Sequence, residues 1–159
     1  MILDLDLRVR LLRPDAKLPT YATEGAAALD LFAAEGATLY PGERAVVDTG
    51  VAIALPDGWC AAVKSRSGLC RKGYTVDWGL VDSDYRGAIG VQCANVVAPG
   101  PQFFHDAGEI DPSRVWVIAP GDRIAQLVLL PVGRATLVQV DELPETARGA
   151  GGFGSSGLR

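Results

Sequence analysis

The segment GLVDSDYRG, residues 79–87, sets two carboxylates two positions apart and follows them with a phenol. On a regular strand Asp82 and Asp84 share a face. There the pair would hold a metal ion, or one carboxylate would serve as a general base. The plainer reading of the same residues is a hairpin with acidic, exposed ends, bracketed by Gly79 and Gly87. A second segment, SRSGLCRKG at 65–73, joins the planar donor fork of Arg66 to the Ser67 hydroxyl and the bare backbone of Gly68. An anion approaches such a backbone closely, and a short helix starting here would aim its first N–H groups at the same anion. The competing reading is a solvated basic turn.

Three further segments are weaker alone. AALDLFAAE, 27–35, places Asp30 among apolar neighbours, as a strand-edge residue or as a carboxylate that reaches a cation. PGDRIAQLVLLP, 120–131, reads as a turn entering a buried strand, with Asp122 and Arg123 as an expected ion pair and Gln126 as a polar residue in an apolar run. The tail RGAGGFGSSGLR, 148–159, has five glycines among twelve residues, yet holds Arg148 and Phe153 at its start and centre. A disordered tail requires neither, whereas a flap closing on phosphates uses both. Gly149, Gly151 and Gly154 match the dinucleotide pattern GxGxxG, but only five residues follow and no helix can form behind them, so that reading is rejected.

The elements that must position these groups are strands. RVRLL, RAVVDTGVAIAL, WCAAVKS, GAIGVQCANV, RVWVIA, RIAQLVLLPV and ATLVQV are short, rich in Val, Ile and Ala, and separated by Pro-Gly, Pro-Asp-Gly or Gly-Asp turns. No segment keeps a helical period, and SGLCRKG allows a turn or two of helix. An all-β barrel or sandwich is expected. Residues 96–114 break the rhythm with three prolines and two glycines, which predicts a long loop inserted between two strands, with His105 as a solvated side chain in it.

Composition narrows the partners. The 159 residues suit one domain, and 48% hydrophobic against 21% charged residues is an ordinary globular balance. A net charge of −4 argues against a broad nucleic-acid surface, though not against a small polyanion gripped by a few cations. The apolar runs are short and interrupted, so no membrane span is expected. The charged N-terminal stretch does not read as an export signal, and a cytoplasmic location is expected. Cys60, Cys70 and Cys93 lack metal-site spacing and read as reduced thiols.

Taken in order, AALDLFA, RSGLC at 66–70, GLVDSDYRG, GDRIAQLVL at 121–129 and RGAGGFGSSG at 148–157 resemble the five motifs of the trimeric, all-β dUTPases (deoxyuridine triphosphate nucleotidohydrolases). The resemblance implies a distorted jelly-roll, barrel-like domain over residues 1–147, assembled as a homotrimer with shared active sites. It implies a mobile glycine-rich arm over 148–159 that closes each site. It also implies Mg²⁺-dependent hydrolysis of dUTP to dUMP and pyrophosphate, supplying dUMP for thymidylate synthesis and keeping uracil out of DNA. On that basis Asp82 activates the attacking water and Tyr85 packs under the deoxyribose to exclude a 2′-hydroxyl. Uracil is read by the backbone from Val76 through Gly79 and Leu80 to Val81, and near Gly90. Arg66, Ser67 and Gly68 hold the phosphates with support from Gln126, and Asp30 contacts Mg²⁺ through water. Phe153 stacks on uracil, while Arg148, Gly154 and Ser155 reach the γ-phosphate.

The chain departs from the family pattern at Val76, where many bacterial relatives carry an Asn that contacts uracil. Base reading is then expected to rest on backbone, water or Asp77. Cys70 replaces a common Ala, and the 96–114 loop is longer than usual. Two other readings fit the fold. A dCTP deaminase needs a Glu near the base, and none lies between Glu43 and Glu109. A nucleotide sensor without catalysis would lack the base or the arm, yet Asp82, Tyr85, Arg148 and Phe153 are all present.

Overall fold

Short Val-, Ala- and Leu-rich runs bounded by turns pair as strands, and a computed structural model describes them over residues 5–77, 79–98 and 111–151. The strands are β1 (Arg8–Leu11), β2 (Thr20–Tyr21), β3 (Leu29–Phe32), β4 (Ala37–Leu39), β5 (Arg44–Asp48) and β6 (Val51–Ala54). After them come β7 (Trp59–Lys64), β8 (Tyr74–Val76), β9 (Gly79–Val81), β10 (Gly90–Asn95), β11 (Trp116–Ile118) and β12 (Arg123–Pro131). They form four sheets, ordered β2-β3-β12-β7-β9, β5-β10-β8, β1-β6 and β11-β4. Every pairing is antiparallel. The all-β, jelly-roll-like expectation holds. The only α-helix among the described residues is one turn, α1 (Ser67–Cys70).

Leu31, Leu39, Val47, Ile53, Val91 and Leu127 bring all four sheets into a single core. Cys93 lies in that core as well, where burial pushes its thiol up to about 12 and leaves it protonated and inert. β12 is central in the largest sheet, bonded to β3 on one side and β7 on the other. Tyr74 stacks on Trp116 with ring centroids 5.0 Å apart.

Three expectations need correction. ATLVQV, read as a strand, has no strand structure: residues 132–147 are irregular and exposed, with Leu137 at 92% and Leu143 at 82% exposure. The alternation is strand-like, but the described residues offer it no neighbouring edge. Asp82 and Asp84 do not share a strand face, because β9 ends at Val81 and the Tyr85 N–H donates to the Asp82 carbonyl at 3.2 Å, closing a turn. Asp122 does not pair with Arg123; its carboxylate accepts from the Ala119 N–H at 2.9 Å, and Arg123 turns to Asp30.

The 96–114 insertion does join two strands, β10 and β11. Its centre and His105 lie outside the described residues. Its two stems are tied to each other: the buried Asn95 amide donates to the carbonyls of Leu39 (2.9 Å) and Arg114 (2.8 Å), its oxygen accepts from the Val97 N–H, and Arg114 donates to the Ala98 carbonyl. A single turn of 3-10 helix at Pro112–Arg114, capped by the Asp111 carboxylate, leads into β11. Replacing Asn95 by Leu keeps the volume but strands two carbonyls and an N–H, so Asn95→Leu should lower unfolding free energy by about 2–4 kcal/mol. Urea denaturation with an unchanged slope is the measurement, and a midpoint equal to the parent's would remove Asn95 as the staple of the insertion.

Candidate active site

The candidate groups divide between the two ends of β7. At its C-terminal end, Asp30 of β3 stands opposite Gln126 of β12, and Gln126 stands opposite Lys64. This row across three strands ends where the chain leaves β7 for Ser65, Arg66 and α1. The Asp30 carboxylate, 11% exposed, accepts from Arg66 Nε at 3.0 Å and from Arg123 Nη1 at 3.2 Å. Arg66 also donates to the Arg123 carbonyl at 3.2 Å. A register shift in β12 between Arg123 and Ala125 accompanies the turn of Arg123 toward Asp30. One carboxylate between two guanidiniums leaves one positive charge in surplus, next to a cleft of about 770 Å³ also lined by Lys72 and Asp122. Ser67 and Gly68, both exposed, open α1, where helical geometry leaves the first N–H groups without an intrahelical acceptor. The chemistry of this end of the sheet suits an anion.

Gln126 and Ser65 brace that end. Gln126 Nε2 donates to the Ser65 carbonyl at 3.0 Å. The Ser65 hydroxyl accepts from the Val76 N–H at 2.8 Å and donates to the Val76 carbonyl at 3.1 Å. Val76 itself is buried, so its side chain belongs to the core and its backbone is engaged by Ser65. Asp77 next to it accepts a 2.6 Å ion-pair bond from Arg44, and its N–H donates to Gln92. Both are therefore committed to holding the β8–β9 connection in place.

At the other end of β7 lie Asp82 and Tyr85. β9 pairs with β7 so that Gly79 faces Val63 and Val81 faces Ala61, which sets Asp82 level with Cys60. Asp82 and Tyr85 are exposed. A cleft of about 710 Å³ gathers Asp82 with Asp57, Cys60, Leu80, Asp84 and Arg134. The Tyr85 hydroxyl donates to the Ala88 carbonyl at 3.1 Å, and Arg86 Nη1 donates to the carbonyls of Ser83 (2.6 Å) and Tyr85 (2.8 Å). Gly90 is exposed opposite Asp48, with space so limited that a Cβ would stand 2.7 Å from Val46 Cγ1.

Arg66 is six residues beyond Cys60, so roughly 20 Å of extended chain separates Asp82 from the cationic end. One subunit brings Asp30, Arg66, Ser67, Gly68 and Gln126 together. It does not bring Asp82 and Tyr85 to them. Arg148 belongs to neither end, since its guanidinium bonds the Gly151 carbonyl at 2.8 Å within its own turn. Phe153, Gly154 and Ser155 lie outside the described residues.

Among the described residues no three His, Cys, Asp or Glu side chains converge as a metal site. Both Asp30 oxygens already face guanidiniums, so this carboxylate suits contact with an ion through water and not direct ligation. Mg²⁺ commonly binds in that way, keeping its waters and taking phosphate oxygens. Sequence reasoning missed Arg123 and Arg134. Arg123 was assigned to its chain neighbour, and no local signal marks a partner 93 positions away.

Comparison with known proteins covers both ends of the sheet. The dUTPase family model matches residues 14–99 and 113–157. The deoxyuridine 5′-triphosphate nucleotidohydrolase of Thermobifida fusca is 49% identical over 154 residues, covering 95% of this chain and 78% of the relative. A variant of the Staphylococcus bacteriophage 80alpha dUTPase, solved with dUpNHpp, superposes with a TM-score of 0.86 at 32% identity and covers 96% of this chain and 99% of its own. A variant dUTPase from phage phi11 of S. aureus, described with a coordinated structural Mg(II) ion, gives 0.78 at 33% identity, covering 88% and 99%. With its motifs carried on the same all-β frame, this chain belongs to the dUTPase family.

Proposed function

We propose that the protein hydrolyses dUTP to dUMP and pyrophosphate in active sites that subunits of a homotrimer share. The family match carries the reaction, and the two half-sites at opposite ends of β7 support the sharing. A triphosphate held by the cationic end of one subunit meets the Asp82 of another. The exposed segment 132–147, whose Leu137, Val138 and Leu143 find little cover among the described residues, supports association as well. The 1–147 domain would make these contacts, and 148–159 would act as the closing arm. Acting on a free nucleotide, the enzyme would work in the cytoplasm.

In this reading Asp82 takes a proton from the water that attacks the α-phosphorus, and pyrophosphate leaves with the electrons of the broken P–O bond. Arg66 and the N–H groups of Ser67 and Gly68 hold the phosphate chain. Asp30 keeps the two guanidiniums spread and reaches Mg²⁺ through water. Gln126 acts on the phosphates by fixing the Ser65–Arg66 turn. Mg²⁺, when bound with the nucleotide, supplies charge neutralisation that the acidic chain lacks. Tyr85 lies under the deoxyribose. With Val76 buried, the uracil edge is read by the backbone from Asp77 to Val81 and near Gly90. Phe153 would cover the base, while Arg148, Gly154 and Ser155 would engage the γ-phosphate.

Three outcomes are expected. Asp82→Asn should cut pyrophosphate release from dUTP by about 10²–10⁴-fold while leaving nucleotide affinity near the parent's, measured by phosphate-coupled assay and calorimetry. Retained turnover would assign the base elsewhere. Asp82→Asn and Arg66→Ala chains, each nearly inactive alone, should recover about a quarter of parental activity when unfolded together and reassembled in equal amounts, because one site in four then joins two intact halves. No recovery would mean that each site is built within one chain. Mg²⁺ alone should give no calorimetric signal at millimolar concentration, and should bind only when a dUTP analogue is present. Binding to the free protein would contradict the water-mediated role of Asp30.

A further inference from the structure

The sequence Asp82-Ser83-Asp84-Tyr85-Arg86-Gly87 makes a turn and then doubles back toward Ala88. The Tyr85 ring does not project freely from this turn. It lies back over its own chain, with the hydroxyl on the Ala88 carbonyl and the far end of the phenol against Gly87. A Cβ built on Gly87 would meet the Tyr85 hydroxyl oxygen most closely, and would stand 2.6 Å from Cζ and 3.1 Å from Cε2. Gly87 is absent from the glycines with positive φ, so its backbone conformation accepts an L side chain. Glycine at 87 therefore answers a demand for space. The obstruction it avoids is one specific ring.

We infer that Gly87 is a positioning residue for sugar selection: by letting the Tyr85 ring lie against the backbone, it sets the height of the floor on which the deoxyribose rests. The inference rests on the proposed role of Tyr85 beneath that sugar. A methyl at 87 lifts the ring by the width of the overlap, because the ring is the far end of a side chain that rotates more easily than the backbone shifts. Arg86 closes the turn independently through the Ser83 and Tyr85 carbonyls, so the turn itself survives. A raised or tilted ring meets the deoxyribose badly and no longer marks the boundary that a 2′-hydroxyl would cross. Discrimination suffers more than folding.

The test is steady-state kcat/KM for dUTP and for UTP in four proteins: the parent, Gly87→Ala, Tyr85→Ala and the double variant. Gly87→Ala should reduce the dUTP-to-UTP ratio by about 10-fold or more, in the range that one misplaced methyl group produces in a fitted pocket. In the Tyr85→Ala background the same Gly87 change should leave the ratio unaltered, since the ring through which it acts is gone. Equal losses on both substrates would reduce Gly87 to a structural role and overturn the inference. So would a Gly87 effect on the ratio that persists without the ring. If Tyr85→Ala itself preserves discrimination, the assignment of Tyr85 fails instead, and a parent inactive on dUTP would sink the hydrolase reading as a whole.

Discussion

Much of this molecule is organised around one carboxylate held between two guanidiniums. Asp30 sits on β3, Arg66 follows β7 and Arg123 begins β12, so a single carboxylate links three strands that are remote in sequence. An isolated buried carboxylate is costly, and here each oxygen has a charged donor at close to ideal distance. Removing either arginine leaves a charge poorly compensated, while removing Asp30 leaves two guanidiniums to repel each other. The three positions are thus interdependent. The arrangement also keeps a surplus of positive charge at one end of an otherwise acidic protein, where a polyanion can use it.

A small set of bonds propagates from that end. Gln126 holds Ser65, Ser65 holds Val76, and Arg44 holds Asp77 at the entrance to β9. The Ser65 hydroxyl is the joint between the cationic end and the strand that leads to Asp82. In the proposed trimer these two regions serve different nucleotides. In that trimer a single side chain of one subunit would therefore lie between two sites.

The sequence was informative wherever the signal is local. Alternating Val and Ala runs marked β5, β6, β7, β10, β11 and β12, and the Ser67–Cys70 turn was readable from SRSGLCRKG. The five motifs carry the residues proposed for both half-sites. What could not be read was pairing across long separations. Asp122 and Arg123 are adjacent and opposite in charge, yet Asp122 is held in the turn by Ala119 while Arg123, the first residue of β12, finds Asp30. ATLVQV failed for another reason. Its pattern is genuine strand chemistry, but a strand needs an edge to join, and sequence periodicity does not say whose edge that is. Val76 is the converse case, where burial and the Ser65 hydroxyl decide what the backbone is free to do.

The uncovered 132–147 segment also bears on the thermodynamics of folding. If a neighbouring chain covers it, part of the stability of each subunit is present only after association. Unfolding then becomes a reaction of three molecules, and its midpoint depends on protein concentration by mass action. Dilution would act on such a protein as a mild denaturant.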